Sequence, residues 1–236
     1  MSRKDTSNYW LYGRHACEAA LENPRRKIKK VLLTKNAANK IDTKDQQTEI
    51  VDDKKISKLL TKDAVHQGIA CQVEPLNDGN FKYEELGNLV VFLDEVTDPH
   101  NIGAIMRSAS AFGASAVVTT FRNSPPEGGV LAKSASGALE YVRYLRVRNL
   151  SNAIEDFKIE GFKFVGLAGQ ANDEIDKLAK TEQFALVMGA EGKGLRQKIM
   201  DNCDILAKIP MSERQESLNV SNAAAIALWE ISKKLK

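Results

Sequence analysis

Short runs of β-branched and other apolar residues alternate with stretches of helical periodicity after residue 88. The apolar runs predict five strands, at residues 89–94, 116–120, 163–167, 184–188 and 205–209. Strands that alternate with helices are typical of a parallel sheet covered by helices. An alanine-rich segment at 220–235 predicts a final helix, whose Trp229 and Ile231 would pack against a core or a partner chain. The pattern therefore predicts an α/β fold for this part of the chain.

The first 75 residues predict a smaller α/β unit. Helices are expected near residues 16–21 and 56–60, and strands at 30–34 and 68–73. Pro75 ends the last of these strands, because proline cannot donate to a ladder. Residues 76–88 are polar and turn-rich, which is typical of a linker. We therefore divide the chain into a first domain at 1–75, a linker at 76–88 and a second domain at 89–236.

The composition argues against several classes of protein. No apolar run approaches the roughly 20 residues of a membrane span, and the N-terminus has no apolar stretch of the kind that directs secretion. We therefore expect no membrane association and a cytoplasmic location. The cysteines and histidines are scattered, so neither a disulfide framework nor a metal site is expected. They are Cys17, Cys71, Cys203, His15, His66 and His100.

Positive charge is concentrated in the first domain. Residues 1–75 contain fifteen Lys and Arg against ten Asp and Glu, whereas the remainder contains nineteen against twenty-one. Arg25, Arg26 and Lys27 begin a run of five basic residues in a window of six, which could neutralise the phosphates of a nucleic acid. A charge run is more often a solvated surface, and that alternative stays open.

Three loops that follow predicted strands indicate one ligand pocket. They are residues 166–169, 189–194 and 209–219. Ligands of open α/β sheets bind at the carboxyl ends of the strands, where these loops would meet. Gly189 permits close approach of the main chain to a ligand. Each loop taken alone is better explained as an ordinary strand-to-helix turn.

The glycine pattern restricts the class of ligand. The order G-x-x-G-x-G at 189–194 differs from the dinucleotide fingerprint, and the chain has no phosphate loop of the form GxxxxGK[ST]. Neither a typical dinucleotide nor a nucleoside triphosphate fits easily.

The segment at the end of the first strand of the second domain carries the most polar chemistry. Pro99 and His100 prepare a helix start, Asn101 is a good N-cap, and Gly103 leaves room near the helix terminus. Arg107 lies on the second turn and could reach a phosphate or ribose with its planar donor fork. An ordinary surface arginine is the alternative interpretation.

Three motifs together resemble those of the SpoU/TrmH family of RNA ribose 2'-O-methyltransferases. Asp98-Pro-x-Asn101-x-Gly103-x-x-x-Arg107-Ser-Ala is similar to its first motif and Met188-Gly-Ala-Glu191-Gly-x-Gly194-Leu to its second. Ile209-Pro-Met, with Ser217-Leu-Asn219-Val-Ser-Asn-Ala-Ala, is similar to the third. They occur in the family's order over residues 89–236.

The resemblance implies a SPOUT-type parallel sheet with a C-terminal trefoil knot, a homodimer, and S-adenosylmethionine (AdoMet) as the methyl donor. The implied cofactor-binding residues are Leu167, Gly169, Gly189, Ile209, Met211 and Leu218. The implied catalytic residues are Asn101, Arg107, Glu191, Ser217 and Asn219. Glu191 is expected to orient Arg107 or Asn101. Asn219 is expected to cap the last helix, to hold substrate, or both. No metal is implied.

The first domain resembles the substrate-binding domain of the same family. Its ends, Tyr12-Gly-Arg-His-Ala-Cys and Val65-His-Gln-Gly-Ile69, carry the likeness. This implies a small N-terminal α/β domain that binds RNA, and a guanosine of 23S ribosomal RNA as the target. A tRNA methyltransferase of the same family, a non-catalytic RNA-binding relative and a generic nucleotide-binding protein remain alternatives. The charged Ser212–Glu216 stretch, with Glu213, Arg214 and Glu216, departs from the family pattern.

Overall fold

Two β-sheets organise the chain. The computed structural model describes residues 7–76, 81–212, 214–215 and 217–236. Within these residues the N-terminal part forms a four-stranded sheet and the C-terminal part a seven-stranded sheet. Residues 77–80 of the predicted linker lie outside the described residues, as do Glu213 and Glu216. None of the described helices is long and apolar enough to cross a membrane.

The N-terminal sheet has the strand order β1-β4-β2-β3. Strand β4 runs antiparallel to β1 and β2, and β3 runs parallel to β2. Its strands are β1 (Tyr9–Tyr12), β2 (Ile28–Leu33), β3 (Thr48–Ile50) and β4 (Ile69–Val73), and its helices are α1 (Arg14–Glu22), α2 (Lys35–Ala38) and α3 (Asp53–Ser57). Strands β1 and β3 and helix α2 were missing from the sequence prediction, because each has only three or four residues.

The C-terminal sheet is parallel throughout and has the order β7-β6-β5-β10-β8-β11-β9. Its strands are β5 (Leu89–Asp94), β6 (Ala116–Thr120), β7 (Arg143–Val147), β8 (Lys163–Leu167), β9 (Asp173–Glu174), β10 (Phe184–Gly189) and β11 (Ile205–Lys208). The main helices are α4 (Pro99–Ala111), α5 (Gly129–Ala135), α6 (Leu150–Ile159), α7 (Gln197–Asp201) and α8 (Val220–Ser232). Strand β5 is buried along its whole length. This agrees with its run of apolar residues, because strands covered on both faces are apolar without alternation.

The position of β10 determines where the site forms. This strand lies between β5 and β8, although it follows both in the chain. Its register pairs Gly189 with Asp94 and Val187 with Gly166. The carboxyl ends of β5, β8 and β10 therefore meet at one edge of the sheet, with β11 beside β8. The trefoil knot implied by the family resemblance stays a prediction.

The two parts of the chain share a continuous apolar core. Leu11 and Cys17 of the N-terminal part belong to the same buried cluster as Met106 and Leu131 of the C-terminal part. At Gly129 a Cβ atom would lie 2.4 Å from the carbonyl oxygen of Trp10, so only glycine lets α5 approach β1 this closely. The N-terminal sheet is thus packed against α5 and is not held by a linker alone.

Arg26 lies inside this contact, which corrects the expectation that it binds RNA at the surface. Its side chain has no exposed area, and its Nη atoms lie 2.5 Å from Glu127 and 2.6 Å from Glu140. The Tyr9 hydroxyl also donates to Glu127 at 2.7 Å. Burial by itself lowers the pKa of Arg26, but its carboxylate partners and Tyr9 raise it by more, so the guanidinium stays charged. Its role in this structure is to join the two parts.

Candidate cofactor and substrate site

A cavity of about 400 Å³ opens at the carboxyl edge of the large sheet. It lies between the loops that follow β8, β10 and β11, as the sequence predicted. All six residues expected to bind the cofactor line it: Leu167, Gly169, Gly189, Ile209, Met211 and Leu218. Cavities of roughly 300–1,000 Å³ are typical of sites for small molecules and cofactors.

The wall formed by residues 189–194 depends on its glycines. A Cβ atom at Gly189 would lie only 2.1 Å from the carbonyl carbon of Gly194. The loop closes on itself, because the Gly194 N–H donates to the Ala190 carbonyl at 2.8 Å. Gly192 and Gly194 have φ values of +77° and +67°, which favour glycine. Glycine is required at position 189 because the main chain of Gly194 and Leu195 passes close to it. The sequence had instead suggested that a ligand approaches the main chain there.

Asp94 anchors this loop, and sequence reasoning missed it. This carboxylate ends β5 and is only 1% exposed. It accepts the backbone N–H of Arg196 at 3.0 Å and its Nε–H at 2.9 Å. Hydrogen bonding to Asp94 raises the pKa of Arg196. The available signal was a lone carboxylate at the end of an otherwise apolar strand, Leu-Val-Val-Phe-Leu-Asp94.

Asn219 connects the third motif to the other two. Its side-chain oxygen accepts the Ser221 N–H at 2.9 Å and thereby caps α8. Its Nδ2 donates to Asn101 Oδ1 at 3.2 Å and to Glu191 Oε2 at 3.3 Å. Ser217 and Glu191 line the cavity itself. Four of the five expected catalytic residues therefore meet at the cavity or border it, and Glu191 contacts Asn101 through Asn219.

Two expectations about helix α4 require correction. Its N-cap is Asp98, whose side chain accepts the His100 N–H at 3.0 Å, so Asn101 lies within the first turn and is free to contact Asn219. Gly103 serves helix packing: a Cβ atom there would lie 2.5 Å from the Leu131 carbonyl oxygen of α5.

Arg107 lies apart from the other four residues. It is exposed, and it is not among the described residues that line the cavity of its own chain. Residues 101 and 107 of one helix are six positions apart, which places them on different faces. Arg107 instead lines a separate groove beside α1. Of the remaining residues expected to bind RNA, Arg25 and Lys27 are exposed, and Lys27 Nζ lies 3.7 Å from Glu74.

The geometry is that of an α/β protein that binds two ligands side by side at one edge of its sheet. A cleft with apolar side chains and glycine-rich walls at the carboxyl edge of a parallel sheet suits a flat ligand. The amide and carboxylate cluster at its border can hold a second, hydroxyl-bearing ligand.

Comparison with known families agrees with this class. Residues 88–229 match the family model described as the SpoU rRNA methylase family. Residues 10–79 match the model described as RNA 2'-O ribose methyltransferase substrate binding. Since the first match covers more than half of the chain, the protein belongs to the SpoU rRNA methylase family.

Individual relatives extend over nearly the whole chain. The 23S rRNA (guanosine-2'-O-)-methyltransferase RlmB of Vibrio parahaemolyticus is 37% identical over 95% of this chain and 96% of its own length. An uncharacterized tRNA/rRNA methyltransferase of Synechocystis is also 37% identical over 94% of the chain, which spans 61% of that relative. A structure of AdoMet-bound rRNA methyltransferase from Sinorhizobium meliloti has a TM-score of 0.78 and 26% identity, covering 97% of this chain and 88% of that one.

Proposed function

We propose that this protein transfers a methyl group from AdoMet to a ribose 2'-hydroxyl of ribosomal RNA, with a guanosine of 23S rRNA as the target. The observation that carries the proposal is the cavity that joins all six expected cofactor residues to the Asn101–Asn219–Glu191 cluster. The names of the RlmB relatives and the AdoMet-bound relative from Sinorhizobium support it. We place this reaction in the cytoplasm.

The cavity suits AdoMet through its backbone and apolar walls. Leu167, Ile209 and Leu218 can enclose an adenine ring, while the exposed main chain of 189–194 offers hydrogen-bonding groups. A Cβ atom at Gly169 would meet no atom within 4 Å, so this wall leaves open space. AdoMet supplies a methyl group already activated by the sulfonium, and the protein needs to align it with the ribose oxygen and exclude water.

The polar residues are proposed to act on the ribose. Ser217, Asn219 and Glu191 border the cavity and can position the 2'-hydroxyl. Arg107 would bind the nucleotide and stabilise the alkoxide as its charge develops. It is not proposed as the proton acceptor, because guanidinium stays protonated in proteins.

We propose a homodimer in which Arg107 of one protomer serves the cavity of the other, since Arg107 does not line its own. Helix α8 packs on α4 and leaves Trp229 52% exposed, with its ring 5.7 Å from that of Phe112. An exposed tryptophan beside a second ring is typical of an interface core. Sedimentation of the wild type should give twice the chain mass, and Trp229→Glu should dissociate it. A fully active monomer would contradict this arrangement.

The domain division at 1–75, 76–88 and 89–236 is kept as part of the proposal, with RNA affinity assigned to the first domain. The alternative substrate is tRNA, which the name of the Synechocystis relative includes.

The deciding experiment is methyl transfer from tritiated AdoMet to purified 23S rRNA and, separately, to tRNA. The modified nucleotide is then located by its resistance to alkaline hydrolysis. We expect incorporation into one guanosine of 23S rRNA. Incorporation into tRNA alone would select the other substrate. Tight binding of NAD or ATP in place of AdoMet would reject the methyltransferase function altogether.

A further inference from the structure

A second groove of about 770 Å³ lies between the two parts of the chain, apart from the cofactor cavity. One side is formed by α1 and the turn at residues 40–44, and the other by α4 and residues 135–141. Arg107 is one of its lining residues. If Arg107 contacts the substrate ribose, as the proposed function holds, the RNA next to that ribose has to enter this groove.

The cations of the groove differ from those of the basic run at 25–30. Lys40, Lys44 and Arg107 line the groove, and no carboxylate in the described part of the chain forms a salt bridge with them. By contrast, Lys29 Nζ lies 2.6 Å from Glu74. Such cations can bind a phosphate without first breaking an ion pair within the protein.

Three carboxylates also face the groove, and two of them are already hydrogen-bonded. Glu18 accepts from Arg14 Nε at 2.8 Å, and Asp42 accepts the backbone N–H of Lys44 at 2.9 Å. The third, Glu22, is exposed at the rim of α1. A carboxylate in this position suits the amino protons of a nucleobase, because carboxylates accept such hydrogen bonds.

Two rings are presented beside these cations. Tyr141 is 63% exposed, which is unusual for a large aromatic side chain. The His15 side chain is 73% exposed and belongs to the opposite wall. The turn before Tyr141 is tight, with Ser136 and Gly137 at φ +51° and +96°. Exposed rings in a groove that also carries cations are a common way for proteins to hold unpaired nucleotides.

We propose that this groove binds the single-stranded RNA that flanks the methylated nucleotide, with a base stacked on Tyr141 and phosphates on Lys40 and Lys44. The inference rests on the proposed function. It adds where the RNA binds and that the bound RNA is single-stranded. It also replaces the basic run at 25–30 as the main RNA contact of the first part of the chain.

The test measures RNA affinity and methyl transfer for Tyr141→Ala and for the double variant Lys40→Ala/Lys44→Ala. Because a base stacked on the ring would lose that contact, Tyr141→Ala should raise the KM for RNA about tenfold, and Tyr141→Phe, which keeps the ring, should restore it. The double lysine variant should reduce the slope of log affinity against log salt by about 1.4, the value for two phosphates of a single strand. AdoMet affinity should stay unchanged in all three.

The matched control is Lys54→Ala/Lys58→Ala, which removes the same charge from exposed positions of the first part outside the groove. It should change the salt slope by much less. If Tyr141→Ala and the groove lysines leave KM, affinity and slope at wild-type values while methyl transfer proceeds, the groove assignment is wrong and the proposed function stands. If the wild type methylates no RNA, the proposed function fails, and unchanged affinity of the variants would then reject the groove independently.

Discussion

Gly189 shows how one missing side chain shapes the cofactor cavity. Its neighbours are the backbone atoms of Gly194 and Leu195, the nearest at 2.1 Å from an added Cβ, and backbone cannot move away as a flexible side chain can. Gly189→Ala should therefore displace the loop at 190–194 and weaken AdoMet binding at least tenfold in calorimetry. Gly87→Ala is the matched control, because its Cβ would make ordinary contact at 3.5 Å with Ser115. Equal AdoMet affinity in the two variants would contradict this assignment.

Replacing Arg107 should separate cofactor binding from catalysis. Because Arg107 is proposed to contact the ribose, while AdoMet binding is assigned to other residues that line the cavity, Arg107→Ala should leave AdoMet affinity near normal. Methyl transfer should fall about a hundredfold or more, as expected when a charge positioned at the reacting centre is removed. Arg107→Lys should recover only part of the rate, since a point charge does not reproduce the planar fork. Normal turnover of Arg107→Ala would remove it from the catalytic residues.

At the level of elements, a contact between β5 and the start of α7 anchors the C-terminal end of the cofactor loop at 189–194. The Asp94 carboxylate at the end of β5 binds Arg196, the N-cap residue of α7, through backbone and side chain. Asp94→Asn replaces one acceptor by a donor that faces these N–H groups. We expect AdoMet affinity to fall about tenfold and the free energy of unfolding to fall by about 1.5–3 kcal/mol.

Glu95→Gln is the control for this clamp. Glu95 lies 3.5 Å from Arg196 Nη1, and the two side chains are 36% and 49% exposed, so the loss of this partly solvated pair should change either quantity little. AdoMet affinity that is unaffected in Asp94→Asn would show that the loop keeps its shape without the clamp.

The large sheet was predictable because its central strands consist mostly of apolar residues without alternation. Strands β5, β6 and β8 were predicted with their observed bounds, and β10 and β11 to within one residue. Strand β7 was missed, because Arg143 and Arg146 interrupt its apolar pattern. Strand β9 has only two residues and exists through pairing with β11, which local sequence does not encode.

The candidate site was predictable for a different reason. Its residues belong to family motifs, and three loops at one sheet edge have to converge. The Asp94–Arg196 pair joins residues 102 positions apart, and its partners are defined only when β10 is placed beside β5. The burial of Arg26 likewise depends on partners far away in the sequence, Glu127 and Glu140. The charge run at 25–30 alone therefore predicted a solvent-exposed cation.

At the level of the whole molecule, the two parts are joined by a buried ion cluster within their shared core. Arg26→Met should leave the Glu127 and Glu140 carboxylates buried without their cation, and removal of one partner of a buried ion pair costs about 3–5 kcal/mol. Urea unfolding followed by circular dichroism should report a loss of this size. Neutralising all three groups, with Arg26→Met, Glu127→Gln and Glu140→Gln together, should recover most of it, since no uncompensated charge remains.

Lys27→Met is the control for the neighbouring position of the same basic run. The Lys27 side chain is 75% exposed and lies 3.7 Å from Glu74, so its loss should cost no more than about 1 kcal/mol. This pair of variants separates adjacent residues that the sequence presents as one cluster, because one cation is buried between carboxylates and the other is solvated. If Arg26→Met unfolded at the same urea concentration as Lys27→Met, the ion cluster would not hold the two parts together. The packing of the N-terminal sheet would then depend on the shared apolar core, which includes the contact around Gly129.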